Sequence, residues 1–183
     1  MDRKELLESV KANVENENLI KHMLATEAVM RALARRLKED EEEWGLTGLL
    51  HDIDVELTGG DMSQHSKLGS DLARELGASE EMAHAILAHN EAHGVPRETK
   101  LDHALFCSDP LTGLIVAAAL VRPDKKLAGL EAKSVLKRFK EKGFAAGANR
   151  EHISQCSKLG LSLEEFVELG VEAMKGVASD LGL

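Results

Sequence analysis

Apolar residues recur along this chain at steps of three and four, the spacing that lays a stripe along one face of an α-helix. The clearest stretch runs from about residue 18 to 38, where Leu19, Met23, Thr26, Met30, Leu33 and Leu37 form one stripe. His22 lies beside it, in line with Thr26, Val29 and Leu33, and is expected to point near the core. Residues 3–14 predict a short opening helix behind Asp2. Residues 41–52 predict a third helix with Trp44, Leu46, Leu49 and Leu50, and with His51-Asp52 in its last turn. Gly59-Gly60 marks residues 53–62 as loop. Ser63 is the expected N-cap of the next helix, which ends at Gly77 and aligns His65 with Leu68, Leu72 and Leu76 on a buried face. Ser79 opens another helix, with Met82, Ile86 and His89 in line, and Gly94 and Pro96 end it.

Residues 100–121 predict a helix on which Leu101, Leu105 and Asp109 follow at steps of four. Pro110 removes a backbone donor and should kink or split it. Three further helices are expected at about 130–142, 149–159 and 163–181. The last opens on a capping box, Ser162 with Glu165, and Leu161 can staple to Phe166. No stretch alternates with the period of a strand. The expected fold is an all-α bundle, a single domain over 1–183. Residues 1–121 form its core, and 122–183 form a helical extension packed on it.

Composition agrees with helices. The chain has 183 residues, 43% hydrophobic and 30% charged, enough to bury a core and stay soluble. The two cysteines, Cys107 and Cys156, form no CxxC and read as reduced and buried, which suggests a cytoplasmic protein. The opening MDRKELLE is charged and unlike a signal peptide. The longest nearly apolar run, 111–121, is too short to span a bilayer, so no membrane is expected. Formal net charge is −9, which argues against general nucleic-acid binding. The charge is uneven: residues 122–142 hold eight basic and three acidic side chains. Lys133, Lys137 and Lys140 share one helical face, either a solvated surface or a cationic wall for a phosphate-bearing substrate.

The chemistry concentrates in His22, His51, Asp52 and Asp109, all in segments that read as helical. Imidazole and carboxylate are ligands that divalent metals accept, and adjacent ligands at 51 and 52 can serve one or two ions. This ordered set, with the wording LLHDID around its dipeptide, resembles the HD-domain superfamily of metal-dependent phosphohydrolases, HDIG type, over about residues 18–121. The resemblance implies an HD-like metal-binding core and one or two ions of Mn, Fe, Co, Ni or Zn. HSKLG and ILAHNEAHG resemble the elements that add two more histidines, here His65 and His89, with Asn90 where a second histidine would stand. With two ions, Asp52 would bridge them. A core histidine donating to a carbonyl is the alternative for both.

Asp54 and Glu56 follow the pair and could orient the attacking water or serve the leaving group; loop solvation explains them equally well. Asn18, one turn before His22, could line the pocket, and His93 could contact substrate. By resemblance, Asn90, Thr112, Arg122, Lys133 and Lys137 could also face the substrate. His84, His103 and His152 read as structural or exposed. Three departures matter. No GYP follows His89. Val55 stands where many HDIG-type proteins have a lysine. Glu56 falls one place beyond the glutamate of the nucleotidase branch. The expected activity is hydrolysis of a small phosphoester, a nucleotide among the candidates, by metal-activated water. A di-iron oxygenase of HD type and a non-catalytic nucleotide-binding module are the alternatives.

Overall fold

The computed structural model describes residues 2–141 and 143–183, and among them the regular structure is entirely helical. Ten α-helices follow in order: α1 (Arg3–Asn13), α2 (Glu17–Leu37), α3 (Glu41–Leu50), α4 (Lys67–Glu75), α5 (Glu80–Ala88), α6 (Lys100–Leu120), α7 (Ala132–Phe139), α8 (Arg150–Ser154), α9 (Leu163–Gly176) and α10 (Ala178–Leu181). Short 3-10 turns occupy Glu91–His93 and Gln155–Leu159.

Local chemistry explains most boundaries. Asp2, Asn16, Asp40, Ser79, Thr99, Asn149 and Ser162 each accept backbone N–H groups as N-caps, satisfying donors that the first turn leaves orphaned. Thr99 with Asp102 and Ser162 with Glu165 close reciprocal capping boxes. The predicted staple places Leu161 and Phe166 together in the core.

The centre of the bundle is α6. Its buried residues run around the whole helix, including Leu101, Leu105, Leu111, Leu114 and Ile115, because α2, α5, α7, α8 and α9 pack about it. By length and composition α6 could cross a membrane, yet here it is the core helix. Pro110 sits inside it without splitting it. The most extensive helix pair is α2 with α3, brought close at Gly48, where a Cβ would stand 2.9 Å from the backbone nitrogen of Glu27. Glu27 is buried there and accepts from Arg3 (2.6 and 2.8 Å) and Arg31 (3.0 Å).

Three boundaries differ from expectation. α3 ends at Leu50, so His51 and Asp52 lie just past it. α4 starts at Lys67 rather than after Ser63, and His65 precedes the helix. Ser66, with φ 73°, supplies the entry without a side-chain cap, and Leu68 is left exposed. α5 stops at Ala88, and Gly94 terminates the following 3-10 turn instead. In the extension, the expected long helices break into α8 with its 3-10 continuation and α9 with α10. The extension packs on the core through α6 and α2.

Candidate metal centre

Six side chains from five segments converge beside α6. His22 comes from the second turn of α2. His51 and Asp52 follow α3, His65 precedes α4, His89 caps α5, and Asp109 lies one residue before Pro110 in α6. His22 Nε2 stands 3.2 Å from His51 Nε2, 3.0 Å from Asp109 Oδ1 and 3.8 Å from Asp52 Oδ2. His51 Nε2 is 3.4 Å from the same Asp52 Oδ2. The other oxygen, Asp52 Oδ1, lies 3.4 Å from both His65 Nε2 and His89 Nε2. The two oxygens of one carboxylate thus face two different histidine pairs.

The second ring nitrogen of each histidine is engaged elsewhere. His51 Nδ1 donates to the Gly48 carbonyl (2.8 Å), His89 Nδ1 to the Ile86 carbonyl (2.5 Å) and His65 Nδ1 to Asp54 (2.8 Å). Thr112 uses its hydroxyl proton on the Asp109 carbonyl (2.8 Å), so its oxygen accepts from His22 Nδ1 at 3.1 Å. These bonds fix each tautomer and leave every Nε2 with its lone pair directed inward, the arrangement metal-binding histidines take. Two such lone pairs at 3.2 Å repel unless a proton or a cation lies between them. The donor set of imidazole nitrogens and carboxylate oxygens fits divalent transition ions.

The metal-free electrostatics agree. Burial opposes charging His22, but the hydrogen bond and charge of Asp109 outweigh it and raise its pKa. Burial likewise opposes His89, where Asp52 prevails and raises it. His51, fully buried, is lowered by desolvation. Burial works against ionised Asp52 and Asp109, yet the surrounding imidazoles hold both below the usual carboxylate range. Without metal, the raised pKa values of His22 and His89 favour binding a proton at the positions that cations would otherwise take.

Asp54 does not face the cluster's open side. It is buried and accepts from His65, from Ser66 N (2.7 Å) and from Gly69 N (2.7 Å), so it orients His65. Glu56 is turned away altogether and accepts the backbone N–H groups of Glu15 (2.6 Å) and Asn16 (3.0 Å), tying down the α1–α2 linker. The amide of Asn90 donates to the carbonyls of Met62 (2.9 Å) and His65 (3.0 Å), and His93 Nε2 donates to the same His65 carbonyl at 2.6 Å. Both brace the His65 turn. Arg122 pairs with Asp124, and exposed Lys133 pairs with Glu131; neither these nor Lys137 lines the cavities around the cluster. The cationic wall does not assemble there, because α7 leaves Lys133 and Lys137 exposed to solvent and Arg122, in the turn after α6, is held by Asp124.

Three cavities meet around His22 and Asp109. One, about 400 Å³, is lined by Asp52, His65, His89, Asn90, Glu91, Asp109 and His152. A second, about 330 Å³, lies between His22, Asp109, Pro110, Gly113 and the loop Ala145–Ala148. The third, about 430 Å³, lies between α2 and α6 and includes Asn18, Lys21, His22, Thr112, Gly113 and residues 181–183. His152, Lys21 and the 145–148 loop were not legible as site residues. His152 reaches the mouth because its Nε2 bonds Glu91 (2.9 Å) and its ring stacks on Phe106. Those contacts span 61 and 46 positions and carry no local signal.

The HD domain family matches residues 19–135, well over half of the chain, and the chain belongs to that family. HD domains bind divalent metals and include metal-dependent phosphohydrolases. Among curated proteins, the chain is 30% identical over 139 residues to Ribonuclease Y of Oleidesulfovibrio alaskensis, a match that covers 74% of this chain and 26% of that protein. It is 32% identical over 131 residues to Ribonuclease Y of Lawsonia intracellularis, covering 72% and 23%. The chain thus spans about a quarter of the length of these relatives. No solved structure matches the chain.

Proposed function

We propose that this protein is a phosphohydrolase that holds two divalent transition-metal ions and hydrolyses a small phosphoester, nucleotides among the candidates. The observation that carries this reading is Asp52, whose Oδ2 faces His22 and His51 while Oδ1 faces His65 and His89. Asp109 completes the first group. When bound, two such ions supply Lewis acidity and an activated water for in-line displacement at phosphorus. The chain's own residues hold and aim. Thr112 and the Gly48 carbonyl orient the first histidine pair; Asp54 and the Ile86 carbonyl orient the second. Asp109 lines both of the first two cavities, so the scissile phosphate would enter from that side, next to the ion that Asp109 would help to hold.

The relatives' name points to RNA. A polymer needs a continuous basic track to neutralise its phosphates. Here the basic segment is partly ion-paired to Asp124, Glu131 and Glu141, the net charge is −9, and a small substrate fits better.

The test is phosphate release from a panel of phosphomonoesters and mononucleotides, beside cleavage of an RNA oligonucleotide, with each of Mn, Fe, Co, Ni and Zn. At least one small ester should turn over, and Asp52→Asn should lower its rate on the order of a hundredfold or more. Cleavage of RNA alone would overturn the small-substrate reading. No turnover of any substrate with any metal would leave a binding module.

A further inference from the structure

The third cavity adjoins the metal centre: His22 and Gly113 each line both it and the neighbouring cavity that holds Asp109. We propose that this α2–α6 groove receives the organic group of the substrate, that Gly113 keeps its entrance open, and that the substrate is a phosphoester of a compact, mostly apolar ring system. The proposal rests on the reading of the centre as a phosphoester site.

Gly113 has no packing reason to be glycine. It lies inside α6, where glycine weakens a helix, and a Cβ built on it meets nothing within 4 Å. By contrast, Gly48 and Gly170 would collide with neighbours. What a side chain at 113 would do is fill the passage between the two cavities. Beyond it on the same face follow Val116 and Leu120, and Leu120 is 47% exposed, an apolar side chain left uncovered at the rim. Leu181 lines it as well. Apolar walls of this extent suit a ring, and a cavity of about 430 Å³ is of the size that takes one. Lys21 is the one cation lining it and forms no ion pair among the described residues, so it can meet an acceptor or an anionic edge on the ring.

The test is calorimetric binding of two non-hydrolysable probes, 1-naphthylphosphonate and methylphosphonate, to the metal-loaded chain. The naphthyl compound should bind at least about tenfold tighter. In Gly113→Leu that preference should collapse toward unity, and in Gly113→Ala it should narrow. Because alanine favours helix over glycine, the melting temperature of Gly113→Ala should hold or rise, which separates blockage from misfolding. Leu120→Asn, at the exposed rim, should reduce the preference independently. Equal affinity for the two probes, no binding of either, or a preference that survives Gly113→Leu would overturn the proposal. Preferential binding without turnover of any ester would instead retain the groove and sink the hydrolase reading.

Discussion

Protons and metal ions should compete for two particular imidazoles. In the metal-free chain, His22 and His89 keep their protons to higher pH than a free imidazole of pKa 6.5, since Asp109 and Asp52 overcome the effect of burial. A raised pKa stabilises the fold fully below the ordinary histidine value and loses that contribution as pH climbs through the raised value. The metal-free chain should therefore melt lower as pH rises above about 6.5, while metal binding, which expels those protons, should tighten. Thermal melts with and without Mn(II), from about pH 6.5 to about pH 8, would read both slopes. A metal-induced gain in melting temperature that shrinks with rising pH would contradict the account. His51 sits outside this competition because burial keeps it neutral. At this scale the sequence was informative for residues that act by their own chemistry. His22, His51, Asp52 and Asp109 carry donor atoms wherever they meet. Asp54 and Glu56 look alike on paper, and only the folded turns decide that one orients His65 and the other ties a linker.

The turn into α4 does more than begin a helix. Ser66 takes a left-handed conformation so that its own N–H and that of Gly69 converge on Asp54, which in turn holds His65. A Cβ at residue 69 would lie 3.0–3.2 Å from the Asp54 carboxylate atoms. Gly69→Ala should push Asp54 aside, lower stability by about 1–3 kcal/mol through weakened buried hydrogen bonds, and release the His65–His89 ion first. Metal analysis of the purified variant should find close to one ion, and retention of two would show that Asp54 does not position His65. The hydrophobic spacing made α1, α2, α3 and α6 legible, and their caps set where they begin. It misplaced the start of α4, because the buried carboxylate of Asp54, twelve residues before the N-cap Ser66, accepts the N–H groups of Ser66 and Gly69 in place of a cap by Ser63. Leu68 reads as core by spacing, yet a start at Lys67 leaves it exposed.

Across the whole molecule, the extension brings material to the centre that the HD core lacks. Arg150 is the fastening. Its guanidinium donates to the carbonyls of Ala145 (2.7 Å), Ala148 (2.6 Å), Phe139 (3.2 Å) and Phe144, gathering the loop that walls the Asp109 cavity. Arg150→Ala should leave these carbonyls without their charged donor and cost about 1–3 kcal/mol. Hydrogen exchange should speed up over residues 144–149 with little change in α2 or α6; uniform protection would show the loop to be held by other means. The all-α class followed from periodicity. The cationic wall did not, because a shared helical face says nothing of what that face looks toward. Lys133 and Lys137 share one, and it looks outward.

The central claim is that Asp52 divides its two oxygens between two metal subsites. Metal content of the chain purified without chelators or an affinity tag, compared with His65→Ala, tests it most directly. The account predicts two ions per chain, falling toward one in the variant. One ion in both would contradict it and reduce His65 to a structural histidine; none in either after reconstitution would remove the metal centre altogether.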